Sequence, residues 1–143
     1  MKPLNELKLV LWSKSTNESF SRVAVAAFLS QLDPTIEEIN DIKTAVSEAV
    51  TNCIVHAYKE TIGKNYITVS IYENRNISIR IRDNGCGIED IEKAREPMYT
   101  TAGDERAGLG FAVMESFMDK IRVSSKKDKY TSVVMKKKLG EKK

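Results

Sequence analysis

The sequence predicts an α+β fold, a mainly antiparallel sheet with helices packed on one face, and three observations predict it. Strand-like segments come in adjacent pairs instead of alternating singly with helices, which separates the pattern from a βαβ architecture. Apolar residues recur at period two in Tyr66–Tyr72 and Ile77–Arg82, and at helical spacing between Thr35 and Tyr58. The 143 residues show no repeat, linker or low-complexity segment, so one domain, 1–143, is expected, long enough for a sizeable core.

Each element follows from local chemistry. Leu7 to Trp12 is short and apolar enough for a first strand. Ser15-Thr-Asn-Glu18 offers capping residues ahead of Phe20, Val23 and Ala27, on a helix ending near Leu32. Asp33-Pro34-Thr35 stops that helix and starts a second, with Glu37 and Glu38 in its first turn, where the helix dipole favours them. The second helix runs from about Thr35 to Tyr58, and Ile39, Ile42, Val46, Val50, Cys53 and Ala57 form its core stripe. A loop then leads to Tyr66–Tyr72, and Glu73-Asn-Arg-Asn76 turns that strand into Ile77–Arg82 as a hairpin. After an irregular charged segment, 89–107, Gly108-Leu-Gly110 opens a third helix reaching about Met118. Two strands follow, near Lys120–Ser125 and Tyr130–Lys138.

Composition excludes several functions. The hydrophobic share (41%) and charged share (30%) are ordinary. A net charge of +3 with no concentrated basic stripe gives no reason to expect direct nucleic-acid binding. The lysines at Lys136–Lys138 and Lys142–Lys143 read as a solvated terminus. Cys53 and Cys86 lack CxxC spacing and His56 is the single histidine, so no zinc site is expected and the thiols fit a reducing compartment. The longest apolar run, Val23–Leu29, is too short for a bilayer, and no signal-peptide pattern opens the chain; a cytoplasmic protein without a membrane partner is expected.

Three motifs carry chemistry. Arg82-Asp-Asn-Gly-Cys-Gly-Ile88 places a carboxylate and two glycines at a strand's end. Asp-Asn-Gly alone fits a hairpin turn, yet Cys86–Arg95 resembles a helical turn and not a returning strand. Glycines spaced by one residue admit close backbone approach, and the carboxylate can accept hydrogen bonds from an amine. Ala107-Gly-Leu-Gly-Phe111 sits at a helix start, where exposed amides bind anions; it is neither a Walker A loop nor a dinucleotide fingerprint, and the plain alternative is a glycine-rich helix entry. Glu48, Asn52 and His56, each four residues apart, form a polar stripe off the apolar one. A solvated face is the bland alternative, but asparagine is unfavourable mid-helix, and its amide oxygen suits a hard cation such as Mg²⁺.

Taken together, these residues resemble the GHKL ATPase/kinase superfamily. Glu48-Ala-Val-Thr-Asn52-Cys-Ile-Val-His56 resembles its N box, Asp83-Asn-Gly85-Cys-Gly87 its first glycine box and Gly108-Leu-Gly110-Phe its second. The resemblance implies a two-layer GHKL (Bergerat) sandwich with a mainly antiparallel, mixed sheet. Asn17-Glu-Ser-Phe-Ser-Arg22, Leu32-Asp-Pro34, Ser47–Asn52 and Met114-Glu-Ser-Phe-Met-Asp119 are similar to the anti-sigma factor serine kinases within it. No dimerisation hairpin with a phospho-accepting histidine is visible, so histidine autophosphorylation is not expected.

The resemblance further implies ATP and Mg²⁺ as cofactors. Asp83 would receive the adenine amino group, with Gly85 and Gly87 admitting base and sugar and Thr131 as the adenine-side hydroxyl. Asn52 would hold Mg²⁺ on the phosphates, and Gly108, Leu109 and Gly110 would give amides to them. Residues 96–107 would form a nucleotide lid, with Thr100, Thr101 and Arg106 as phosphate contacts. His56 would either touch the nucleotide or pack the helix on the sheet. Glu48 would accept the proton of a substrate serine. The implied partners are a sigma factor of RNA polymerase and a STAS-domain anti-anti-sigma protein, met by a face containing Arg22, whose alternative is a plain surface arginine. A homodimer is implied through the first strand and helix, with Leu7, Leu9 and Leu11 pairing across an edge. A competing possibility is a non-catalytic, nucleotide-gated binding module. An ATPase driving a conformational cycle is disfavoured by the missing second domain.

Overall fold

The computed structural model describes residues 2–57, 61–87 and 106–140. Along the chain run β1 (Asn5–Trp12), α1 (Thr16–Leu29) with a 3₁₀ turn at Ser30–Leu32, and α2 (Ile36–Asn52), which continues as a π-turn at Cys53–Ala57. Then come β2 (Lys64–Ile71), β3 (Asn76–Asp83), α3 (Arg106–Phe117), β4 (Lys120–Lys126) and β5 (Tyr130–Lys138). The five strands lie in the order β1-β2-β3-β5-β4. All four pairings are antiparallel, so the sheet implied to be mixed carries no parallel pair among the described residues.

Period-two burial decides which face of the sheet meets the helices. Ile67, Val69, Ile71, Ile77, Ile79, Ile81, Val133 and Met135 are buried against Val25 and Leu29 of α1, Ile42, Val46 and Val50 of α2, and Met114 of α3. Each such side chain contributes about 1.5–3 kcal/mol by burial, and a one-residue slip would turn a whole strand's set outward. The packing therefore fixes the register, and with it what lies beside Asp83 at the end of β3.

The expected start of α2 is present in full. Asp33 adopts the left-handed conformation (φ 51°) that ends the 3₁₀ turn, and Thr35 caps α2 in a reciprocal capping box with Glu38. Glu38 also accepts the Gly140 amide at 2.7 Å, so one carboxylate ties the chain after β5 to the start of α2. Partial burial alone would raise the Glu38 carboxyl, but the Thr35 and Gly140 amides, the Thr35 hydroxyl and the Arg75 charge outweigh it and hold the carboxyl below the usual glutamate range.

Two expectations need correction. Ser15 makes no side-chain cap to α1; instead the Asn17 side chain donates to the Trp12 carbonyl at 2.8 Å, fastening α1 to the end of β1. Leu7, Leu9 and Leu11 do not reach across an edge. Strand alternation turns them inward against the core, leaving Val10 and Trp12 on the outer side. What β1 offers a partner is its backbone edge.

Glu38→Ala is expected to cost about 1–2 kcal/mol, because it removes one half of the capping box and the Gly140 bond together. A carboxyl depressed by folding stabilises the fold above its unfolded value and loses that contribution as pH falls through the folded one. The wild-type advantage over Glu38→Ala in denaturant melts should thus be full at pH 7 and shrink below the ordinary glutamate range. An advantage independent of pH would contradict the charged clasp.

Candidate nucleotide site

Asp83 ends β3 on the inner face, where the register sets it beside Asn65 of β2 and Thr131 of β5. It is only 4% exposed. One carboxylate oxygen accepts the Gly85 amide at 2.9 Å, and the other accepts the Cys53 thiol at 3.5 Å. Burial raises the Asp83 carboxyl above the usual range, although the Gly85 amide, the Cys53 thiol, the Thr131 backbone and the Arg82 charge oppose the rise. Burial also pushes the Cys53 thiol well up, and the Asp83 charge adds to the effect, so the sulfur keeps its proton and is the donor of this pair. A buried acceptor surrounded by donors from its own chain is held in one orientation.

The glycines after Asp83 fit themselves against backbone. A Cβ on Gly85 would lie 2.2 Å from the Ala57 carbonyl oxygen, and one on Gly87 (φ +71°) would lie 2.3 Å from the Lys126 carbonyl oxygen. The Cys86 amide donates to Ala57 O at 2.9 Å, and the Asp128 amide donates to Cys86 O at 2.6 Å. The close approach foreseen at these glycines is thus to the end of the α2 π-turn and to the β4–β5 turn. The segment is clamped between two backbones, and the clamp sets where Asp83 stands.

The second half of the site forms where α2 meets α3. A Cβ on Gly110 would lie 3.3 Å from both amide heavy atoms of Asn52 and 3.3 Å from Oε2 of Glu48, so this glycine admits both polar side chains against the helix. Nδ2 of Asn52 is buried and makes no hydrogen bond. A buried donor left without an acceptor is costly and calls for an explanation. Because α3 begins at Arg106, Gly110 lies beyond the first four amides and its N–H joins the intrahelical ladder. What it contributes to the described contacts is space for these two side chains.

Glu48 faces a second space too. A groove of 730 Å³ between α1 and α2 is lined by Glu18, Arg22, Lys43, Ser47, Glu48 and Val55, among others. Within it Glu18 accepts from Arg22 Nε at 3.2 Å and from the Ser47 hydroxyl, which links the two helices.

The structure therefore brings together Glu48, Asn52 and Gly110 at one end, and Asp83, Gly85 and Thr131 at the other. Of His56, Arg106, Gly108 and Leu109 it describes the helical backbone alone, and Thr100, Thr101 and residues 96–105 of the expected lid lie outside the described residues. Sequence reasoning passed over Cys53 as a partner of Asp83 and Ser125 as a partner of Thr131. The strand register was the signal that could have found Ser125, once β4 and β5 were paired.

An antiparallel sheet backed by helices, with a buried carboxylate ending a central strand and a helix-borne asparagine and glutamate facing a glycine on the next helix, defines an ATPase domain of the histidine kinase type. The profile of the family described as Histidine kinase-like ATPase domain matches residues 12–137. Curated proteins named anti-sigma F factor are similar over nearly their whole length. That of Clostridium perfringens strain 13 is 54% identical over 137 residues, covering 95% of this chain and 98% of the relative. That of Caldanaerobacter subterraneus subsp. tengcongensis is 57% identical over 137 residues, with 95% of each covered. The chain belongs to the histidine kinase-like ATPase family and, within it, to the family of the anti-sigma F factors. Solved structures show the same fold: the RsbU and RsbW domains of a Mycobacterium tuberculosis protein (18% identity, TM-score 0.72, 98% of this chain and 34% of that one) and a histidine kinase domain from Erythrobacter litoralis (17% identity, TM-score 0.57, 85% and 60%).

Gly85→Ala is expected to lower stability by about 1–3 kcal/mol, since the added methyl meets backbone that cannot rotate away. Asp83→Asn should behave oppositely in the absence of ligand. A carboxyl raised by folding gives stability that is full below its unfolded value and lost as pH rises through the folded one, so ionised Asp83 is a burden at pH 7. Thermal melts at pH 7 should show Asp83→Asn no less stable than wild type; a clear loss would contradict the raised carboxyl.

Proposed function

We propose that the chain is an anti-sigma factor and protein serine kinase. It binds and inhibits an RNA polymerase sigma factor of the sigma F type and uses Mg-ATP to phosphorylate a serine of a STAS-domain anti-anti-sigma protein. The single observation that carries the proposal is the double exposure of Glu48. Its carboxylate stands beside Asn52 and Gly110, and the same residue lines the α1–α2 groove. One side of it meets the phosphate end of a nucleotide whose base lies at Asp83; the other meets whatever docks in the groove.

Catalysis by such a site is positioning and charge stabilisation. Asp83 accepts the adenine amino group, with Thr131 beside it. The amides of Gly108 and Leu109, in the first turns of α3, face the phosphates, with Thr100, Thr101 and Arg106 as further contacts and His56 at the end of α2. The side chain of Asn52 is the residue that would hold Mg²⁺, because its amide oxygen is a hard donor. Mg²⁺, when bound there, neutralises phosphate charge. Glu48 takes the proton of the serine hydroxyl offered from the groove.

Arg22 and Glu18 present a charge pair at the groove's rim, 3.2 Å apart, and this face is the proposed contact for both protein partners. The open backbone edge of β1, with exposed Phe20 and Val23 on α1, is the proposed homodimer interface. Among the described residues no helix is long and apolar enough to cross a membrane. A cytoplasmic location suits these partners.

The test uses γ-labelled ATP, Mg²⁺ and a cognate STAS-domain protein. Wild type should label a serine, while Glu48→Gln should keep ATP affinity within about twofold and lose at least about 100-fold in transfer, the scale of general-base catalysis. Equal loss of binding and transfer would remove Glu48 from the role of base. Nucleotide binding without transfer by wild type would favour a nucleotide-gated binding module. Asn52→Ala should abolish the Mg²⁺ dependence of ATP binding; unchanged affinity with Mg²⁺ present would contradict the metal role.

A further inference from the structure

The register lays a polar row across the inner face of the sheet end: Asn65, Asp83, Thr131 and Ser125 are successive cross-strand partners. Proton accounting along this row gives each group one polarity. The Ser125 hydroxyl donates to the Tyr130 carbonyl at 2.8 Å, and a carbonyl can only accept. Its single proton is then committed. The 2.9 Å contact between Ser125 Oγ and Thr131 Oγ1 must therefore run with Thr131 as donor. Thr131 commits its own proton to Ser125 and turns lone pairs to anything else that approaches.

Asp83 is committed in the same sense. Cys53 donates to one of its oxygens and Gly85 to the other, which leaves acceptor capacity and no proton to offer. Independently, Asn65, next in the row, is 1% exposed and has a buried Oδ1 with no hydrogen-bond partner. Three neighbouring groups thus hold unused acceptor capacity in one row, with Asn65 and Asp83 buried and Thr131 half-buried. A site of one polarity selects a ligand of the other, because a mismatched group leaves buried polar atoms unpaired.

We propose that Cys53 and Ser125 are positioning residues that fix Asp83 and Thr131 as acceptors, and thereby make the pocket select a 6-amino purine over a 6-oxo purine. The proposal rests on the base lying against Asp83. Neither residue need touch the nucleotide; each acts through the group it fixes. At position 6 adenine brings an exocyclic amine that donates to this row, whereas hypoxanthine brings a carbonyl that meets acceptors.

The experiment is a comparison of dissociation constants for Mg-ATP and Mg-ITP, by calorimetry on the full chain, for wild type, Cys53→Ala, Cys53→Ser and Ser125→Ala. The ratio within each variant is read, so a general loss of stability cancels. Wild type should prefer ATP by at least about tenfold, the ratio should fall about three- to tenfold in Cys53→Ala and in Ser125→Ala, and Cys53→Ser, which keeps a donor, should restore most of it. Ratios within twofold of wild type in both alanine variants would overturn the positioning roles while leaving the base at Asp83. The role of Cys53 is overturned equally if Cys53→Ser behaves like Cys53→Ala, since packing and not donation would then be the sulfur's part. A wild type that binds ATP and ITP equally would instead show that the base does not meet Asp83, and would overturn both the positioning roles and the placement of the base.

Discussion

One buried carboxylate organises this molecule. Asp83 sits at the end of a central strand with almost no solvent, and a charge there is tolerable only because its own chain supplies donors from three directions: the Cys53 thiol on α2, the Gly85 amide in the following loop and the Thr131 backbone on β5. Each donor belongs to a different element, so satisfying one carboxylate pins the π-turn of α2, the loop and β5 to one another. The glycine contacts with Ala57 and Lys126 follow from the same demand, because the loop must pass close to both backbones to deliver its amide. A carboxyl raised by burial in this way marks a candidate functional residue.

The other end of the site is built differently. Asn52 and Glu48 stand one helical turn apart on α2, and Gly110 on α3 yields the space into which both project. Asn52 and Cys53 are adjacent in sequence, yet one looks to Gly110 and the other to Asp83. The helix changes from α to π geometry at that junction. Wide turns of this kind are frequent at functional sites, and here the wide turn carries the span between the two ends of the candidate pocket. Beyond Glu48, the Glu18–Arg22–Ser47 cluster ties α1 to α2, so the groove and the Glu48–Asn52–Gly110 cluster share one wall.

Much of this is legible in the residues alone. The apolar stripe of α2, the cap at Thr35, the paired strands and the order of the three polar motifs all express local rules, and local rules are what a sequence displays. What escapes depends on register and phase. The glycines at 85 and 87 announce close contact but not with what, because Ala57 and Lys126 approach from elsewhere in the chain. Leu7, Leu9 and Leu11 read equally as an edge or a core face until β2 fixes their side. The contact of Gly110 with Asn52 and Glu48 depends on how α2 packs on α3, which a glycine pair alone does not reveal. Cys53 does belong to the core stripe, and its bond to Asp83 is invisible in the sequence because burial and function coincide in that one side chain.

The most direct measurement is a crystal structure of the chain with Mg²⁺ and a non-hydrolysable ATP analogue. The predicted complex has the adenine amino group within hydrogen-bonding distance of the Asp83 carboxylate, the metal on the Asn52 side chain and the terminal phosphate facing Glu48. A nucleotide bound in the opposite sense, or one seated away from Asp83, would contradict the account.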